Sequence, residues 1–176
     1  MVRRVLAKMA AIVPGGFSVR PALHRLRGVH IGKNVWISQW VYIDEIHPEA
    51  VSIEDNCTIG LRTSIFTHFY WGPRRRNGGF KPVVIGANTF IGPHCVILPG
   101  VHVGEGCVIK AGSILTRNVP PGMFMGPPNP EPLGRVTVPL TPEHEYEEFL
   151  KGLQPLPRPA AGTARLRMDA GEGNAG

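Results

Sequence analysis

The chain has 176 residues, with 22 Gly and 18 Pro but only 7% aromatic residues. That length supports one domain with a real core, and the Gly and Pro content argues for many tight turns and against a helical bundle. The formal charge of +6 is spread along the chain; its one run, Arg74, Arg75 and Arg76, has no interleaved aromatics, which argues against nucleic-acid binding.

Residues 1–28 read as a short helical or irregular cap. Arg3, Arg4 and Lys8 lie among Val5, Leu6, Met9 and Ile12, a stretch too short and too interrupted for a secretory signal. No apolar segment reaches bilayer-spanning length, so a cytoplasmic protein is expected. The basic cap has two readings, closing the domain that follows or touching a membrane surface, and the first is simpler.

From residue 31 onward aliphatic residues recur every six positions: Ile31, Ile37, Ile43; Ile53, Ile59, Ile65; Ile85, Ile91, Ile97, Val103, Ile109, Leu115. Gly often follows directly, at Gly32, Gly60, Gly86, Gly92 and Gly104. A small or apolar residue stands four positions on, as at Val35, Cys57, Thr63, Thr89, Cys95 and Cys107. A period of six fits neither an amphipathic helix nor simple alternation. It fits a short strand and a sharp corner, three of which make one triangular coil, with the aliphatic residue pointing inward. Gly after the aliphatic is read as relieving an unusual backbone conformation. Twelve hexads make four coils whose stacking buries a column that no single hexad could bury.

The spacing breaks twice, by ten from Ile43 to Ile53 and by twenty from Ile65 to Ile85. Both insertions follow the third hexad of a coil, so both leave at one corner. Long loops of an ordered solenoid carry function, which makes this corner the first place to look. Arg117 to Gly122 read as the exit from the last coil. Thr141, Pro142 and Glu143 read as a helix start, with Tyr146, Phe149, Leu150 and Leu153 on one face. Cys57, Cys95 and Cys107 all fall at the small corner position and are read as packing residues rather than ligands or nucleophiles. His94 lies in phase with His68, but inside a regular coil a surface or packing role suits it better. With no suitably spaced third ligand, a zinc site is not expected.

The segments 31–35 (Ile-Gly-Lys-Asn-Val), 84–92 (Val-Ile-Gly-Ala-Asn-Thr-Phe-Ile-Gly), 96–101 (Val-Ile-Leu-Pro-Gly-Val) and 109–113 (Ile-Lys-Ala-Gly-Ser), closed by Val119-Pro-Pro, resemble the hexapeptide-repeat acyltransferases. The likeness is to the sugar O-acetyltransferase group, which includes maltose and galactoside acetyltransferases, and covers roughly residues 28–135. The expected fold is all-β: a left-handed parallel β-helix over 29–122 with an extended loop at 66–84. Residues 1–28 form the cap, 123–153 an extension with a short helix, and 154–176 a disordered tail.

The resemblance implies a homotrimer that binds acetyl-CoA in a groove between adjacent prisms and passes the acetyl group to a hydroxyl, with a saccharide as the expected acceptor. It also implies a His that takes the acceptor's proton, and His68 matches. A hydroxyl is a poor nucleophile at neutral pH, so a base must act as it attacks the thioester. Several relatives steady this His with a loop acid. Residues 69–82 contain no Asp or Glu, so Asp44 or Glu45, one coil earlier, is the substitute, with Asp44 preferred. On the cofactor side the matches are Ala111, Thr116, Arg117 and Arg135, with Phe90 in place of a Trp and Gly92 beside it. Residues 126–131 (Gly-Pro-Pro-Asn-Pro-Glu) depart from the family's Gly-Asn-Pro-Ala. Phe69, Tyr70 and Trp71 suit either a sugar ring or a neighbouring subunit, and the 74–76 run suits either an anion site or a solvated loop tip. N-acylation of an amino sugar or amine and a non-catalytic trimeric scaffold are the competing functions.

Overall fold

Each hexad contributes one short strand that ends on its aliphatic residue. In a computed structural model that describes residues 2–69, 79–127, 134–139 and 145–155, the repeat forms β1 (His30–Ile31), β2 (Trp36–Ile37), β3 (Tyr42–Ile43), β4 (Val51–Ile53), β5 (Thr58–Ile59), β6 (Ser64–Ile65), β7 (Val83–Ile85), β8 (Phe90–Ile91), β9 (Val96–Ile97), β10 (His102–Val103), β11 (Val108–Ile109) and β12 (Ile114–Leu115). They pair into three parallel sheets, β1-β4-β7-β10, β2-β5-β8-β11 and β3-β6-β9-β12. Register is set by the aliphatic column: Ile37 faces Ile59, which faces Ile91, which faces Ile109. These four side chains have no solvent exposure, and burying each contributes roughly 1.5–3 kcal/mol. The architecture is the left-handed parallel β-helix.

The repeat runs further than its twelve hexads. Val119 is buried and bridges Val103, and β13 (Phe124–Met125) adds a fifth strand to the second sheet beside β11. The exit read at 117–122 is therefore a further corner, and strand pairing continues to Met125.

The glycine reading needs correction. The left-handed backbone sits three residues after nine of the twelve aliphatics, at Asn34, Trp40, Asn56, Arg62, Asn88, His94, Gly100, Gly106 and Gly112, and not after Ile43, Ile65 or Leu115. Gly60 and Gly92, directly after the aliphatic, have no such backbone. A Cβ on Gly60 would lie 2.5 Å from the backbone of Gly92 and Pro93, and one on Gly92 would lie 2.5 Å from the Ala111 nitrogen. Coil stacking, not torsion, demands these glycines. The true corner column tolerates Asn, whose short amide adopts this conformation and bonds locally. Asn34, Asn56 and Asn88 indeed link coil to coil through their side-chain amides at 3.1 Å, and Asn88 reaches Glu105 Oε1 at 3.0 Å. The small corner residues are buried and bond the next coil: Cys57 Sγ to the Gly86 carbonyl at 3.1 Å, and Thr63 and Thr89 hydroxyls to Gly92 and Gly104 carbonyls at 3.0 Å.

In the stack, the N–H after each aliphatic donates to the aliphatic carbonyl of the following coil, as Gly32 does to Ile53 and Asp44 to Ile65. The first coil's own aliphatic carbonyls lie at the end of the stack. Each accepts instead from an arginine of the cap, built by α1 (Val2–Ile12), α2 (Val19–Leu26) and Arg27. Arg25 bonds the Ile31 carbonyl at 3.0 Å, Arg20 the Ile37 carbonyl at 2.6 Å and Arg27 the Ile43 carbonyl at 2.7 Å. One guanidinium serves each sheet.

The described residues 134–139 and 145–155 belong to a second unit. In it β14 (Gly134–Val136) pairs antiparallel with β15 (Leu153–Pro155), and α3 (Tyr146–Lys151) precedes β15. Thr141 to Glu143 lie outside the described residues; Glu145 caps α3, in a reciprocal capping box with Glu148. Leu153 does not share the helix face. The helix ends at Gly152, packed against Val138, and Leu153 pairs with Val136 in the sheet. Gln154 and Pro155, read as the start of the tail, are strand residues; 156–176 lie outside the described residues.

Candidate active site

Both insertions leave the third sheet, after β3 and β6, whose ends pair in register as Ile43 with Ile65. They therefore meet. The shorter turns back through a 3-10 turn, Pro48–Ala50. The longer is closed at its base by the Lys81 N–H bonding the Thr67 carbonyl at 2.7 Å and by a bridge between His68 and Phe80.

At this corner Asp44 Oδ2 lies 2.6 Å from His68 Nδ1 within the same chain. Asp44 is wholly buried. Its Oδ1 accepts the backbone N–H of Ile46 at 2.9 Å and of His47 at 3.2 Å, and Oδ2 also accepts that of Thr67 at 2.9 Å. Burial alone would raise its pKa, but the backbone N–H groups of Thr67, His47 and Ile46 outweigh burial and hold the carboxyl down at about 2. An ionised carboxylate only accepts hydrogen bonds, so His68 donates from Nδ1. Its Nε2 then carries the basic lone pair, the tautomer that a general base needs. Arg27 bonds the Asp44 backbone carbonyl as well as that of Ile43, which ties the acid's main chain to the cap. Glu45, the other acid considered, instead lies 3.9 Å from Arg4.

Two side chains outside the predicted site, His47 and Phe80, complete the corner. The His47 ring stacks on Phe80 at 4.7 Å and stands edge-on to His68 at 6.2 Å. His47 also lies 3.5 Å from Glu49 Oε1. The legible signal was the shared corner: a residue three positions after Asp44 in one insertion must face the base of the other. His94 is an exposed corner residue in the left-handed conformation, like Arg62 before it.

The cofactor-side candidates of the β-helix are spread over more than one corner of the coil. Phe90 is 44% exposed on the outer side of the second sheet. Gly92 and Ala111 stack at the corner that follows that sheet, Gly92 buried and Ala111 exposed. Thr116 and Arg117 are exposed at the corner after the third sheet, two strands along from β6. Arg135 is exposed in the second unit and pairs with Gln154. Tyr70, Trp71 and the 74–76 arginines lie outside the described residues.

Two family models match the chain: the bacterial transferase hexapeptide (six repeats) over residues 82–117, and the hexapeptide repeat of succinyl-transferase over 50–67. Galactoside O-acetyltransferase of Escherichia coli (strain K12) is 34% identical over 125 residues, which cover 68% of this chain and 61% of that protein. Among solved structures, a galactoside acetyltransferase in complex with coenzyme A is 27% identical with a TM-score of 0.54, covering 71% of this chain and 74% of that one. A hexapeptide-repeat acetyltransferase of Vibrio cholerae O1 biovar eltor, complexed with acetyl coenzyme A, shares the fold at 23% identity and a TM-score of 0.57, covering 72% and 81%. The chain spans 54% and 61% of the length of the first two curated relatives it matches, and a quarter of several others. Repeat pattern, strand register and these similarities agree: the chain belongs to the hexapeptide-repeat transferases.

Proposed function

We propose that the protein is an acetyl-CoA-dependent O-acetyltransferase acting on a hydroxyl of a saccharide or related small molecule, with His68 as general base and Asp44 as its positioning residue. The observation that carries this reading is the buried, ionised Asp44 holding His68 through Nδ1 at the corner where both insertions meet. The relatives named galactoside acetyltransferase support the donor and the acceptor class.

In the proposed reaction His68 Nε2 removes the acceptor hydroxyl proton as the oxygen attacks the thioester carbon. The tetrahedral intermediate collapses, the carbon–sulfur bond breaks, and the departing thiolate takes the proton back from the imidazolium. Asp44 stabilises the imidazolium charge that forms between the two proton transfers. Phe90, Gly92, Ala111, Thr116 and Arg117 belong to the cofactor side in this reading, as does Arg135. Because Phe90 and Ala111 lie at a different corner from His68 in one chain, the reading includes a homotrimer in which one prism's His68 corner faces the next prism's second sheet.

The test is paired. Acetyl-CoA titrated against thermal unfolding should stabilise wild type and His68→Ala alike, by roughly 2.7 kcal/mol at 100 times Kd. CoA release in the presence of a galactoside or maltose should fall by about 10²–10⁴-fold in the variant only. Absence of any acetyl-CoA response would overturn the transferase reading in favour of a scaffold; undiminished turnover in His68→Ala would overturn the role of His68.

A further inference from the structure

Helix α1 packs with its small residues and shows its large ones. Ala7 and Ala10 are buried, whereas Val2 is 72% exposed, Val5 49%, Met9 43% and Ile12 54%. At 100° per residue these four fall within a single stripe about 80° wide on the side opposite the alanines. An ordinary surface helix presents the reverse arrangement, apolar inward and polar outward. Nothing in the cap's own packing requires an aliphatic stripe there, and contiguous exposed apolar surface marks a contact.

The charge around the stripe identifies the contact's chemistry. Residues 2–43 contain seven Lys or Arg and no Asp or Glu. Arg4 and Lys8 lie along one edge of the stripe on α1, and both are exposed. Arg3 and Arg4 also reach Glu49 at 3.3 Å and Glu45 at 3.9 Å, exposed pairs that hold the side chains only weakly. Even with Asp44, Glu45 and Glu49 counted, residues 2–50 keep a net charge of +4. An aliphatic stripe bordered along one edge by cations, on a helix lying along the end of a solenoid, matches the interface of an anionic bilayer: acyl chains take the stripe and headgroups those cations. We infer that the outer face of α1 docks the protein on an anionic lipid surface. This inference is independent of the catalytic reading.

The experiment is co-sedimentation of the full chain with vesicles of phosphatidylcholine alone or with 30% phosphatidylglycerol, at low and high salt, for wild type and Val5→Glu/Met9→Glu. Both positions are exposed, so the variant should fold, as equal circular dichroism and an unchanged thermal midpoint would check. Expected is binding to the phosphatidylglycerol vesicles only, weakened several-fold by salt and lost in the variant, whose mass by light scattering stays that of wild type. No sedimentation of wild type with anionic vesicles at low salt, or equal binding by the variant, would overturn the inference. A fall in assembly mass of the variant without vesicles would overturn it too, since the stripe would then be a contact between copies of the chain.

Discussion

Asp44 stays ionised without solvent because four N–H donors converge on its two oxygens: those of Ile46 and His47 on one, those of Thr67 and the His68 ring on the other. Asp44→Asn keeps the shape but replaces an acceptor oxygen by a donor amide. On the proposed mechanism kcat should drop on the order of 10²-fold or more with acetyl-CoA affinity unchanged. Initial-rate kinetics beside a binding titration would separate the two, and equal loss in both would mean that Asp44 only supports the fold. The pH signs follow from the same residues. Asp44 titrates near 3.8 when unfolded and near 2 in the fold. As pH falls the unfolded chain protonates first, so roughly 2 kcal/mol of stability is lost between about pH 4 and pH 2. His24 is buried beside Arg27, and its pKa is depressed by burial and then by that charge, from 6.5 to about 3. Its folded pKa is also the lower one, so stability declines as pH falls through 6.5 towards 3, by up to about 1.4 kcal/mol per pH unit. In urea unfolding between pH 7 and 4.5, His24→Gln should show a flatter dependence than wild type; an unchanged slope would contradict this account.

At the scale of the coil, glycines of two kinds serve two ends. Gly60 exists because the next coil's backbone passes within 2.5 Å of where its Cβ would stand, whereas Gly106, at φ +68°, has open space around that position. Gly60→Ala should therefore cost about 1–3 kcal/mol or more through overpacking. Gly106→Asn should stay within about 0.5 kcal/mol, because Asn already fills this corner at 34, 56 and 88. Denaturant midpoints of the two variants decide the matter, and the reverse order would refute it. The repeat's six-residue period made the strands, their register and the shared corner of the insertions legible. The left-handed column was misplaced by two residues because a run of glycines looks the same whether torsion or stacking requires it. The cap's arginines likewise carried no readable signal, since a basic helix end is usually solvated. Only the stack reveals that Ile31, Ile37 and Ile43 each present a carbonyl that needs a donor.

For the molecule as a whole, the outer side of the second sheet aligns Trp36, Thr58, Phe90, Val108 and Phe124 in register. Phe90 is 44% exposed, Val108 40% and Phe124 71%. An apolar column of this kind on a solenoid face favours burial against another copy. On the proposed trimer, sedimentation should return three times the 19.2 kDa chain mass. Val108→Glu should yield a folded species of lower mass without transfer activity, and retention of full mass would remove this face from the assembly.

What the amino-acid order determined was the solenoid and the corner from which both of its insertions leave. A six-residue period admits one register, because slipping a strand would expose its Ile to water. Insertions after the third hexad of a coil can leave only at one edge. The order favoured Asp44 over Glu45 but gave no geometric reason, since these adjacent residues differ only in which way the chain turns after β3. Nor did it show that His47 and Phe80, distant in sequence, share that corner, or that α1 turns its aliphatic residues outward. Those were decided by tertiary structure: by which N–H groups the two insertions aim at one buried carboxylate, and by α1 burying Ala7 and Ala10 and not its larger side chains.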